Sequence, residues 1–306
     1  MRFICAQPAT LYYAWQVEVM INNFKDNGIN PNSIDIVCWK DGDVPEIWSK
    51  LCNNYAARFF FYDDTRESKH YVSSIRPNIL KQHFKAHPYL GKDPFLYHDC
   101  DIVFTKPIDW YKFMFDENWY GSDTRFYISH DYINSKGEEY VNEMCSIVGI
   151  DKQIVKDNEL NCIGAQYLIK DIDWTFWETV ERDCENLFKD ISELNRKKRQ
   201  ENPDFHDLQI WCADMWAVLW GGWKLGRNTI CHKDFDFAWA TSGIKDWDKY
   251  NIYHNAGVVN NSTGLFYKSD YIYKLPYNED LKINEKFANY KYWNLIQETA
   301  KKSVLI

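Results

Sequence analysis

Phe95-Leu96-Tyr97-His98-Asp99-Cys100-Asp101-Ile102-Val103-Phe104 sets two carboxylates, two positions apart, between runs of apolar β-formers. Side chains alternate faces along a strand, so Asp99 and Asp101 are expected on one face. Two carboxylates held together in apolar surroundings repel, and one takes up a proton unless a cation joins them. Mg²⁺ and Mn²⁺ prefer carboxylate oxygens and keep positions open for phosphate. The pair is therefore a candidate metal site, with Asp99 also a candidate contact to a phosphate ligand.

Outward from this segment the pattern alternates strand and helix. Residues 2–6 form a short apolar run ended by Pro8, and residues 11–24 carry apolar side chains at helical spacing, closed by Asn27-Gly28. Residues 33–39 read as a buried strand, 44–54 as a helix, 58–62 as a strand and 79–87 as a helix. The C-terminal part is less regular. Strands are expected at 163–169, near 235–240 and at 252–254, with helices at 174–190, 208–220 and over the last 25 residues. This rhythm implies an α/β fold, Rossmann-like, with a mostly parallel central sheet and helices on both faces. We read residues 1–306 as a single domain with two halves, 1–115 and a loop-rich 116–306. Ligands of such sheets sit beyond the carboxyl ends of the strands. Ala6, Gln7, Asp63 and Asp99 are thus candidate ligand contacts, and Arg76, just before Pro77, is a candidate phosphate contact.

Net charge is −8, from 36 basic and 44 acidic residues, which excludes general attraction to nucleic acid or anionic membranes. It also argues against a metal-dependent nuclease. Arg196-Lys197-Lys198-Arg199 is the one dense basic run. The nine cysteines are odd in number and include no C-x-x-C pair, as expected of reduced thiols in a cytoplasmic protein. No stretch reaches the roughly 18 apolar residues of a membrane span. Aromatic side chains make up 17% of the chain, enough to supply stacking surfaces for sugars or bases as well as a core.

FLYHDCDIVF resembles the D-x-D strand of GT-A-fold metal-dependent glycosyltransferases. Further pieces are similar in the same order: Gly164 to Ile169, Asp207 to Trp216 (DLQIWCADMW), and Tyr253-His254-Asn255-Ala256-Gly257. The resemblance is nearest to hydroxyproline arabinosyltransferase, to serine galactosyltransferase-like enzymes and to related phage glycosyltransferases. It implies Mn²⁺ or Mg²⁺ held by Asp99, Asp101 and His254, a UDP-sugar donor, and Lys268 on the donor phosphates. It further implies that 1–115 binds the donor, that 116–306 shapes the acceptor side, and that Gln166, with Asp207 or Asp214, faces the reacting sugar. Elementary chemistry agrees, because a leaving diphosphate needs neutralising and an acceptor hydroxyl needs a base.

Two acceptor classes follow. One is a hydroxylated base in phage DNA, with the run 196–199 on the phosphates; richness in Asn, Lys, Asp and Tyr fits an AT-rich phage genome. The other is a protein or glycan hydroxyl. A lectin-like sugar-nucleotide binder without turnover is the alternative of another class.

Overall fold

The computed structural model describes residues 1–306. The first stretch of chain runs β1 (Arg2–Pro8), α1 (Leu11–Asp26), β2 (Ile34–Trp39), α2 (Glu46–Asn54), β3 (Arg58–Tyr62), α3 (Ile75–Ala86), β4 (Phe95–Tyr97) and β5 (Ile102–Phe104). Then come β6 (Trp119–Asp123), four short helices α4 (Arg125–Ile128), α5 (His130–Asn134), α6 (Glu138–Val148) and α7 (Lys152–Asp157), and β7 (Ile163–Ile169). The chain closes with α8 (Trp174–Glu201), α9 (Ala213–Lys224), β8 (Thr229–Cys231), β9 (Phe237–Trp239), α10 (Ile244–Lys249), β10 (Ile252–His254) and α11 (Ala288–Ala300). The larger sheet has seven strands in the order β3-β2-β1-β4-β7-β6-β8; the smaller has three, β5-β10-β9. β1, β2 and β3 pair in parallel, as do β6 and β8, while β6 and β7 run antiparallel. The expected mostly parallel α/β sheet is thus observed. No helix is long and apolar enough to cross a membrane, and all nine cysteines are free thiols.

The chain gathers into two compact units. The first comprises Met1–Asp63, Leu96–Met114 and Lys233–Ile306; the second comprises Asp64–Phe95 and Phe115–His232. In the first unit, Phe3, Ile4 and Cys5 on β1 and Ile36, Val37 and Cys38 on β2 are all buried, the continuous apolar run expected of inner parallel strands. Asp35 is the exception. It is fully buried and forked by Arg2 and Arg58, whose guanidinium groups donate to both carboxylate oxygens at 2.5–2.9 Å. Helix α1 is buried from Ala14 to Phe24, so its polar residues need partners. Asn23 finds them on β5: its amide donates to the Phe104 carbonyl at 3.0 Å and accepts from the Phe104 N–H at 2.7 Å. On its other side β5 pairs antiparallel with β10, which sets Ile102 opposite His254.

In the second unit two expectations are corrected. Helix α3 begins at Ile75, not 79, and carries Pro77 in its first turn, where the missing N–H has no helical acceptor to lose. Arg76 is therefore a helical residue. Helix α8 does not stop near 190 but runs 28 residues to Glu201. Ion pairs Glu193–Arg196, Glu193–Lys197 and Lys198–Glu201 stand at helical spacing along its end. Asn202 is then extended, as the residue before Pro203 prefers.

Gly91 joins the turn after α3 to the start of α8. Its carbonyl accepts from Ile172 N–H at 3.1 Å, and a Cβ there would stand 1.6 Å from the Ile172 carbonyl oxygen. No rotamer relieves a backbone clash of that kind. Gly91→Ala is expected to lower the unfolding free energy by about 2 kcal/mol or more. An unchanged urea midpoint would refute this close approach.

Candidate metal centre and carboxylate site

Asp99 and Asp101 do not lie on one strand. β4 ends at Tyr97, residues 98–101 turn, and β5 begins at Ile102 in the other sheet. The turn, not the period of a strand, brings the two carboxylates together. The β5–β10 ladder then delivers the third group. With Ile102 opposite His254, and Asn255 N–H donating to the Asp101 carbonyl at 3.0 Å, the imidazole falls beside both aspartates. His254 Nε2 is 3.3 Å from Asp101 Oδ1 and 3.5 Å from Asp99 Oδ2. One ligand atom from each of the three residues lies within 4.8 Å of the others. Trp239, on the neighbouring strand β9, stacks on the imidazole at 6.2 Å and 16°, and Phe237 leans on it at 5.3 Å.

Asp101 is buried and Asp99 only partly exposed, with Lys268 Nζ 2.5 Å from Asp101 Oδ2. Burial raises the Asp101 pKa, but the charges of Lys268 and His254 outweigh it and hold the carboxyl well below the usual carboxylate range. Burial likewise lowers the pKa of Lys268, and Asp101 more than compensates, so the ammonium is held above its usual range. Tyr12 is pushed up to about 12 by burial, with Asp101 raising it and Lys268 lowering it, and so stays a neutral phenol. His98 is brought down to about 4 by burial, and its Nδ1 meets the Asp99 carbonyl at 2.9 Å. It is a neutral wall of the turn, packed at 5.2 Å on Phe24. Two carboxylates and an imidazole nitrogen are a donor set that Mn²⁺ and Mg²⁺ accept, and Lys268 supplies a second cation for an anionic ligand.

The second unit holds a different cluster. Asp214 opens α9, and its Oδ1 accepts from the Tyr71 hydroxyl at 2.7 Å. Arg76 stands 3.8 Å from its Oδ2. Tyr71 also reaches the Trp211 carbonyl at 2.6 Å and stacks on Phe188 at 5.0 Å. Burial first, and Asp214 second, keep the phenol protonated, so one proton serves two acceptors. The loop carrying Tyr71 is fastened by Glu185 on α8, whose buried carboxylate accepts from Ser68 and Ser74 hydroxyls and from the His70 and Tyr71 N–H groups. Gln166 is buried on β7, where its side-chain oxygen accepts from Ser122 at 2.8 Å. The register with β6 slips there, and Ala165 adopts φ +60°, a strained position for a residue with a Cβ. Gly121 permits the slip, because a Cβ there would meet the Gln166 carbonyl at 2.7 Å.

The other sequence candidates separate from these clusters. Asp207 lies in the loop before α9, ion-paired with Arg199, and its contacts include none of Tyr71, Arg76 or Asp214. Gln7 is buried at the end of β1, donating to the Val37 carbonyl at 3.4 Å, beside buried Ala6. Asp63 follows β3 and pairs with Lys40 at 2.7 Å. In the basic run, Arg196 and Lys197 pair with Glu193, Lys198 with Glu139 and Arg199 with Asp207. Sequence reasoning missed Tyr71, Tyr12 and Trp239, because an isolated aromatic in an unpatterned loop or short strand carries no signal of its partner.

The fold is the GT-A glycosyltransferase fold. The bifunctional glycosyltransferase WbbM, in its apo structure, superposes over 99% of this chain with a TM-score of 0.52 at 9% identity. The chain spans about half the length of that protein (50%). The galactosyltransferase LgtC, in complex with donor and acceptor sugar analogues, matches at a TM-score of 0.41 and 12% identity, covering 97% of this chain and 96% of its own. Mouse xyloside xylosyltransferase 1 matches at 0.42 and 9% identity, over 84% of this chain and 99% of its own. No family model matches the sequence. No curated protein matches it either.

The Asp101–Lys268 pair has a defined pH window. A depressed carboxylate stabilises the fold above its unfolded pKa and loses that contribution as pH falls through the folded value. A raised ammonium stabilises below its unfolded pKa and loses that as pH rises through the folded value. The pair is therefore in force between about pH 4 and about pH 10. In EDTA at pH 7, Lys268→Met should cost about 3 kcal/mol, since it strands a buried charge. The difference from wild type should shrink in acid. A constant difference in urea melts from pH 7 to pH 3 would contradict this account.

Proposed function

We propose that the chain is a metal-dependent glycosyltransferase that moves a sugar from a nucleoside diphosphate, most simply UDP, to a hydroxyl acceptor. The observation that carries the reading is the convergence of Asp99, Asp101 and His254 beside Lys268, in a chain with the GT-A fold. Asp99, Asp101 and His254 would hold Mn²⁺ or Mg²⁺, which when bound would supply positive charge for the leaving diphosphate. Lys268, beside Asp101, would add a second cation for the phosphates. Ala6, Gln7 and Asp63, at the ends of β1 and β3, border the nucleoside, and Arg76 contacts the donor phosphates.

In the transfer, the bond from the anomeric carbon to the diphosphate oxygen breaks with its electron pair on UDP. A bond from the acceptor oxygen to that carbon forms, and the acceptor proton leaves. We assign proton removal to Asp214, whose carboxylate is oriented by Tyr71, and contact with the sugar to Gln166. Asp207, committed to Arg199, becomes the weaker candidate for that role. The pairing of all four charges in the run 196–199 with carboxylates favours a protein or glycan hydroxyl over DNA as acceptor. Free thiols at all nine cysteines suit action in a reducing cytoplasm, that of the host if the chain is viral.

Isothermal titration with UDP tests the metal. Asp101→Ala should weaken UDP binding in Mn²⁺ at least tenfold and leave the EDTA value unchanged. Equal binding by the two proteins in Mn²⁺ would end the proposal.

His254→Ala should raise the Mn²⁺ needed for UDP binding, because it removes one of the three candidate ligands. A variant with unaltered Mn²⁺ affinity would remove His254 from the ligand set.

A further inference from the structure

Of the fourteen tryptophans, Trp211 alone is exposed, at 58% of its surface. It lies within the second unit, three residues before Asp214. Its ring stacks on Tyr127 at 5.9 Å and 20°, and Tyr127 is itself buried and meets Phe126 at 4.6 Å. Phe126 is 67% exposed, and Val72, next to Tyr71, is 81% exposed. A wet indole face with exposed apolar neighbours is costly to leave in water and is a mark of a binding surface. The face is also held rigid, because Tyr127 backs the ring, so a ligand need not order it.

What surrounds the indole narrows the ligand. The Trp211 carbonyl accepts from the Tyr71 hydroxyl at 2.6 Å, and the same hydroxyl reaches Asp214 Oδ1 at 2.7 Å. The backbone that carries the indole is thus linked, through one phenol, to a carboxylate that can only accept hydrogen bonds. A pyranose has the matching two-sided chemistry: an apolar C–H face to lie on an aromatic ring, and hydroxyl donors around its rim. A nucleic-acid base can stack as well, but its strand needs a positive groove for its phosphates. Here the guanidinium groups beside Val72 and Phe126 are engaged by acids, Arg66 with Asp64 and Arg125 with Asp123, and the basic run 196–199 is ion-paired.

We propose that Trp211 is the stacking platform of the acceptor subsite and that the acceptor is a saccharide, with one hydroxyl turned toward Asp214. This rests on the transferase reading and adds to it the acceptor class. Tyr71 is a positioning residue in this arrangement: it links the orientation of Asp214 to the backbone that carries the platform.

Iodide quenching of tryptophan fluorescence tests the platform, with the difference between wild type and Trp211→Phe isolating the one exposed indole. Wild type is titrated with lactose, cellotriose and maltotriose in the presence of Mn²⁺ and UDP. At least one saccharide should shield the Trp211 component, and in isothermal titration under the same conditions Trp211→Ala should raise the Kd for that saccharide by about tenfold, the equivalent of one good aromatic contact. Trp211→Tyr should recover most of that loss. A panel that leaves the Trp211 component fully quenchable overturns the proposal, as does shielding by hydroxymethylated duplex DNA in place of any saccharide. Absence of Mn²⁺-dependent UDP binding by wild type would instead defeat the transferase reading, while the shielding by saccharides is still read separately.

Discussion

Everything at the candidate metal centre depends on the antiparallel pairing of β5 with β10, two three-residue strands some 150 positions apart in the chain. β-Ladders allow only whole-residue registers, and a slip by one turns every side chain to the opposite face. Ile102 opposite His254 is the register that sets an imidazole beside two carboxylates. Strands this short have little pairing energy of their own, so the register is held from outside. Asn23 grips Phe104 from α1, β9 lies along β10, and Asn255 extends the ladder to the Asp101 carbonyl.

Charge balance is the second constraint. The charges of Lys268 and His254 hold the buried Asp101 carboxylate ionised against the cost of burial, and Asp101 in turn favours the part-exposed Lys268 ammonium. The second unit handles an acid differently. Asp214 accepts from a phenol and faces a guanidinium at 3.8 Å.

Much of the fold was legible because its strands are two-sided and apolar. Residues 2–6, 33–39 and 58–62 stand where β1, β2 and β3 form, and the helical spacing of 11–24 marks α1. The aspartate pair was legible as chemistry but not as geometry: apolar residues on both sides suggested one strand, whereas the chain turns between two sheets. Pro77 and the run 196–199 looked like interruptions. One falls in a first helical turn, and the other is neutralised by acids on its own helix together with Glu139 and Asp207, features that local pattern does not separate from breaks. Nothing was read between residues 105 and 162, where β6, α4, α5 and α7 are short; α6 went unread although Tyr140, Val141, Met144, Cys145 and Val148 stand at helical spacing. Tyr71 and Trp211 owe their roles to contacts or exposure that only the folded chain defines.

Asn23 has a consequence beyond the placing of β5. That strand is the outer edge of the three-stranded sheet, and an open edge is a template on which another chain's strand can add. By taking both the N–H and the carbonyl of Phe104, the asparagine amide behaves like a fragment of a neighbouring strand, laid crosswise from a helix. The same side chain that steadies the metal turn thus also closes an edge to self-association, so its loss would be felt in colloidal behaviour at high concentration as well as at the metal turn.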